Sequence, residues 1–188
     1  MFVDKNKIEA AYLDELTRLG NMFDTLNIGY GIIGEFALSG YGIRTRRVTE
    51  CTVIAEVTNK STILETLFKL NFTIKSLTVD SIDMVKVTKP GELHIKLILS
   101  IPDGKDSVVL FENRKIRFPP KFLNNERKEV WASSKGKGYF KVAPLELIYF
   151  LKMNTNKDED VMDLEIIKGS GKMDIDKLFK LFEINGLI

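Results

Sequence analysis

Two short apolar runs constrain the fold of this chain more than anything else in it: "YGIIG", residues 30–34, and "CTVIAEV", residues 51–57. An unbroken apolar run bounded by glycines or charges suits a strand covered on both faces. A sheet of such strands requires helices to cover it, which makes the chain an α/β protein. The helices are legible on either side. Ile8, Tyr12, Leu16, Leu19, Phe23 and Leu26 recur at three- and four-residue steps and form one apolar helical stripe. After the second run, Thr62 and Glu65 have capping-box spacing before Leu67, Phe68 and Leu70, so strand, helix, strand is expected. With 188 residues and 44% hydrophobic content, the chain can bury one domain's core.

Further on, "SIDMVKV" and "ELHIKLILSI" flank Pro90-Gly91, a turn pair that predicts an antiparallel hairpin. Leu93, Ile95, Leu97, Leu99 and Ile101 alternate there and leave Glu92, His94 and Lys96 on the opposite face. "SVVLF" reads as another strand, and Pro119-Pro120 as the opening of a helix through Trp131. "SSKGKG" reads as a cationic loop. Pro144 then opens "PLELIYFLKM", a helix from Asp158 to Ile167 follows, and Asp174 caps a last helix with Ile175, Leu178, Phe179 and Phe182 on one face. The expected division is a sheet-bearing domain over 1–135 and a helical C-terminal subdomain over 136–188.

Composition narrows the function classes. Charged residues make up 29% of the chain but the net charge is only +2, so no global basic field announces nucleic acid or an anionic membrane. Cys51 is the sole cysteine and His94 the sole histidine, which excludes an intrachain disulfide and a cysteine-rich zinc site. No apolar run is long enough to span a bilayer, and a cytoplasmic protein without membrane contact is expected.

The order of parts resembles the nucleotidyltransferase fold, in particular AbiEii-type toxins of toxin–antitoxin systems and minimal nucleotidyltransferases. That family carries a strand ending in Gly-Gly or Gly-Ser, a helix with alanine and Tyr-Gly, then Arg-x-Thr-x-Asp-x-Asp entering the next strand. Here stand Gly34-Glu35, Ala37, Tyr41-Gly42 and Arg47-Val48-Thr49-Glu50-Cys51-Thr52-Val53. The tail resembles the family through Pro144, Lys152, Asp160 and Asp163. The resemblance implies an α/β (α+β) fold with a short mixed sheet, packed helices and a helical C-terminal part. It also implies transfer chemistry with two divalent metals, held by aspartates at i and i+2 on one strand and a third carboxylate on a later one.

On that alignment the metal pair falls at Cys51 and Val53, and the third carboxylate at His94 or Lys96. None can serve magnesium. The chain is therefore expected to be a degenerate member that binds a nucleotide, RNA or a protein partner in the ancestral cleft, with no cofactor and no metal site. The binding candidates are Gly34, Arg44, Arg46, Arg47, Thr49 and Lys152. Two alternatives stand beside this: an active, magnesium-dependent transferase using displaced carboxylates, with Glu35 and Glu50 as candidates, and a non-enzymatic assembly or antitoxin-like partner.

Each signal also has a plainer reading. Gly34 reads as a tight turn, and Arg44 to Arg47 as a solvated loop beside the cleft. Lys135, Lys137 and Lys141 read as linker. Cys51 is expected to be buried and inert, and Asp160 and Asp163 to sit on the exposed side of a tail helix. Oligomeric state is left open.

Overall fold

A computed structural model describes residues 5–43, 50–57, 60–123, 126–132, 136–155 and 157–188, with side chains at all of these except 5–7, 126–132 and 136–138. The two apolar runs form β1 (Tyr30–Ile33) and β2 (Cys51–Glu56), which pair antiparallel at the sheet's centre. The first helix, α1 (Lys5–Thr25), buries Tyr12, Leu16, Leu19 and Phe23. The Tyr12 hydroxyl bonds the backbone of His94, accepting from its N–H at 2.8 Å and donating to its carbonyl at 3.3 Å. That contact pins the helix to the sheet. The stripe ends before Leu26, which is exposed.

After β1, α2 (Gly34–Gly40) leads to β2, and α3 (Lys60–Lys69) leads on to β3 (Thr73–Leu77). The predicted hairpin is β4 (Ser81–Thr88) with β5 (Gly91–Asp103), paired from Ser81↔Ile98 to Thr88↔Gly91. Leu93, Ile95, Leu97 and Leu99 are buried, as their alternation predicts, whereas Ile101 is exposed. There β5 leaves the main sheet and pairs instead with β6 (Asp106–Phe111), which turns at Glu112-Asn113 into β7 (Arg114–Phe118). Both turn residues have positive φ, the geometry of a tight two-residue hairpin.

The nine described strands run β3-β4-β5-β2-β1-β9-β8, with β6 and β7 branching from β5. Parallel pairs β2–β5 and β1–β9 make the sheet mixed. Two sequence expectations are corrected here. The described residues of 119–131 do not form a helix: a single 3-10 turn (Pro120–Leu123) precedes β8 (Glu126–Ala132). Within the expected cationic loop, Gly136–Gly138 belong to β9 (Gly136–Val142), which enters the sheet beside β1 through Ile32↔Val142. Glycine eases this contact, because a Cβ on Gly31 would stand 3.1 Å from the Ala143 nitrogen and press the neighbouring backbone aside by a few tenths of an ångström.

The chain division expected at residue 135 falls within 133–135, outside the described residues. The helical part starts at α4 (Leu145–Met153), followed by α5 (Asp158–Gly169) and α6 (Ile175–Ile184). Asp174 caps α6 as expected, accepting from the amides of Asp176 and Lys177. The buried face of α6 is rotated from the predicted one: Leu181 is buried, while Ile175 and Phe179 are exposed. Among the described residues no helix is long and apolar enough to cross a membrane.

Candidate functional site

The site begins where β1 ends. Gly34, at φ +74°, turns the chain out of the sheet into α2, a conformation glycine adopts without steric cost. Glu35 follows in the first turn of α2. The β1–β2 register sets Ile33 opposite Thr52, which brings Glu50 and Thr52 alongside that turn. From the other side come the last turn of α4, with Lys152, and the first turn of α5, with Glu159 and Asp160. Together they enclose a cleft of about 290 Å³, whose apolar walls are Ile33, Phe111, Ile148 and Leu151.

The floor is a knot of charge. Lys152 Nζ donates to Asp160 Oδ1 at 2.5 Å, Asp163 Oδ2 at 2.7 Å and Glu35 Oε1 at 3.3 Å. Thr155 Oγ1 donates to the second oxygen of Asp160 at 2.6 Å. Burial pulls the Lys152 pKa down, but the hydrogen bonds to Asp160 and Asp163, joined by the charge of Glu35, outweigh it and leave the pKa raised. The ammonium is thus held in its charged form. An ammonium has three donors, and here three carboxylates take them.

Two readings of the sequence need correction. Asp160 and Asp163 are not on the exposed side of α5: they are 5% and 3% exposed, and they point at Lys152. Equally, Cys51 and Val53 do not face the cleft. Both are buried in the core together with Ala55. The cleft-lining i and i+2 pair here is Glu50, just before β2, and Thr52 on it, one residue out of phase with the motif-based alignment. A slip of one residue exchanges the two faces of a strand, which is why the alignment pointed at grease. Glu50 and Thr52 also line an adjoining cavity of about 280 Å³ with Lys96, which β2–β5 pairing places beside Thr52.

Cys51 is a core thiol. Burial, then the charges of Glu50 and Glu35, push its pKa far up. In the folded protein it should therefore resist aromatic disulfide and maleimide reagents, reacting only at the rate of global unfolding. Rapid stoichiometric labelling under native conditions would contradict this burial.

The other candidates sort as follows. Arg44, Arg46, Arg47, Thr49 and Lys135 lie outside the described residues, as does the side chain of Lys137. Lys141 is no linker lysine: it pairs with Asp24 at 2.6 Å and lies over the Tyr30 ring. His94 is exposed, 3.7 Å from Glu92. Sequence reasoning also missed Phe111. The β6–β7 hairpin carries it to the cleft, and two links tie that hairpin to the α4–α5 connection: Lys157 to Glu112 at 3.2 Å and Arg114 to Asn154 at 3.1 Å.

Strand, glycine turn, short helix, second strand and a closing helical part with a cleft between them make a nucleotidyltransferase-like fold, and comparison with solved structures agrees. The chain is similar to the lincomycin-bound lincosamide antibiotic adenylyltransferase LnuA, with TM-score 0.55 and 12% identity over 82% of this chain and 95% of that one. It is similar to the antibiotic-resistance factor ANT(2'')-Ia in solution, with TM-score 0.53 and 9% identity over 91% of this chain and 89% of that one. The same protein's crystal structure with adenylyl-2''-tobramycin gives TM-score 0.53 and 9% identity over 91% and 94%. At such identities the likeness is one of fold. Neither a family model nor a curated protein matches the chain.

Proposed function

We propose that this nucleotidyltransferase-fold protein binds a nucleotide in the cleft and has given up two-metal transfer chemistry. The observation that carries this reading is the donor set around the cleft. A pair of magnesium ions needs several shared carboxylate oxygens. The entry to β2 offers Glu50, and β2 and β5 offer Thr52 and Lys96: one carboxylate beside a hydroxyl and an ammonium. Across the cleft, Glu35, Asp160 and Asp163 are engaged by Lys152. Those residues do not fit the metal pair that the family resemblance implies. What they fit is hydrogen bonding: carboxylates accept from ribose hydroxyls and base amino groups, while Phe111, Ile148 and Leu151 supply apolar surface for a base. At about 290 Å³ the cleft lies at the lower end of the range of small-molecule sites.

Thermal-shift measurement across the four nucleoside triphosphates and their nucleosides tests this. One of them should raise the melting temperature equally in magnesium and in EDTA, and Glu50→Gln should abolish the shift. No shift with any of them would overturn the proposal.

A second reading is an active transferase working through displaced carboxylates, passing a nucleotidyl group to a hydroxyl on RNA, on protein or on a small molecule. The observation in its favour is that Glu35, Asp160 and Asp163 offer oxygens within 4.8 Å of one another. Incorporation of labelled nucleotide that requires magnesium or manganese and is lost in Glu35→Gln or Glu50→Gln would establish it and displace the first reading.

A further inference from the structure

The carboxylate trio and the lysine at its centre support a more specific statement, which deepens the reading just given and rests on it for the site's purpose. We propose that the Lys152 ammonium is the resident cation of this cleft, occupying the place of a divalent ion among Glu35, Asp160 and Asp163.

The geometry is that of a coordination sphere with nitrogen at its centre. Three carboxylates arrive from two separate elements, Glu35 from α2 and Asp160 and Asp163 from α5, and their oxygens lie within 4.8 Å of one another. Such convergence of like charge is costly without a cation between them. Lys152, from a third element, supplies one at 2.5, 2.7 and 3.3 Å. Its side chain is 8% exposed and those of Asp160 and Asp163 are 8% and 4% exposed, so water screens these two pairs little, while Glu35, at 18%, faces the cleft. Spacing on the helices produces this arrangement. Asp160 and Asp163 are three residues apart and share a face of α5, and Lys152 in the last turn of α4 reaches that face across the short connection.

Two consequences follow for binding. A cation carried on the chain cannot be removed by a chelator, so the electrostatic balance of the cleft is independent of divalent ions. Lysine also spends all three of its N–H groups on the knot, so Lys152 holds the cleft together without itself gripping a phosphate.

The test uses Lys152→Ala, which removes the ammonium and leaves its space, with manganese as the probe and no nucleotide present. The purified full chain is titrated by calorimetry and its melting temperature followed in EDTA and in manganese. Wild type should show no manganese-dependent shift, whereas Lys152→Ala should gain roughly 5–10 °C at a hundredfold excess over the dissociation constant. If Lys152→Ala is unfolded in EDTA, manganese should restore its fold. Adding Asp163→Asn to Lys152→Ala should abolish either response. A Lys152→Ala protein, folded or unfolded, that ignores manganese would overturn the proposal, as would wild type binding manganese with loss of that binding in Asp163→Asn. Since no nucleotide enters the experiment, its failure is distinguishable from failure of nucleotide binding.

Discussion

Replacing Thr52 and Lys96 together by aspartate should create a manganese site that wild type lacks, adding about 2.7 kcal/mol of stability at a hundredfold excess over its dissociation constant. The argument is one of register. Glu50, at the entry to β2, and Thr52, two residues on, line the same two cavities, so their side chains face the same way. Thr52 and Lys96 are direct partners on neighbouring parallel strands, whose spacing is just under 5 Å. Carboxylates at positions 52 and 96 would thus join Glu50 at the corners of a small triangle, a set of oxygens that hard cations favour. Lys96 is exposed and Thr52 half-buried, so both sites tolerate the change. Calorimetric titration with manganese checks it. Absence of manganese binding would mean that Glu50 does not converge on the cleft and would withdraw the register correction with it. The control is Cys51→Asp with Val53→Asp, the pair indicated by motif alignment. That substitution places two charges in the core and should unfold the protein instead of binding metal.

Glu15→Ala should destabilise the fold by about 3–5 kcal/mol, lowering the melting temperature by roughly 10 °C. Lys86 Nζ lies 2.5 Å from Glu15 Oε2 and 2.7 Å from the Leu70 carbonyl, above the Phe72 ring. Both side chains of the pair are 10% exposed. Removing the carboxylate strands a buried ammonium between α1 and β4 with one carbonyl for company. Converting both partners, Glu15→Leu with Lys86→Met, removes that penalty and should return most of the stability, because burying the pair was itself expensive. Chemical denaturation of wild type and the two variants makes the comparison. Equal losses in Glu15→Ala and in the double variant would show that packing of α1, and not the stranded charge, sets the cost.

Much of the fold was legible because its central parts obey simple periodicities. β1 and β2 are continuous apolar runs, α1 carries a clean stripe, and β4–β5 turn at Pro90-Gly91. Strands β7, β8 and β9 were hidden by composition. "RKIRF", "ERKEVWA" and "GKGYFKV" are rich in lysine and arginine, which masks their alternation: the second reads as part of a helix opened by Pro119-Pro120, which in fact opens one 3-10 turn, and the start of the third as a cationic loop.

The candidate site was half legible. Gly34, Glu35, Glu50 and Lys152 were named from the sequence, and they line one cleft. Two features of the site were not. On β2 an apolar run conceals which face is which: Ile54 is as buried as Val53, and only the partial exposure of Thr52 and Glu56 betrays the phase. On α5 the buried aspartates carry no apolar signature, since charge on a helix normally signals the solvent side. Pairing with a lysine eight residues upstream makes their burial tolerable, and that partnership is visible only in three dimensions.

The pairing of β1 with β9 has a consequence for how the molecule comes into being. Ile32 and Val142 sit side by side although about a hundred residues of chain separate them. Closing so long a loop is entropically late, and topologies of this kind assemble slowly. During synthesis, the glycine turn emerges early and waits with its strand uncovered on one edge until the ninth strand and the two helices behind it have left the ribosome. The cleft, whose walls come from both ends of the chain, is in this way missing from every partial product and complete only in the finished one.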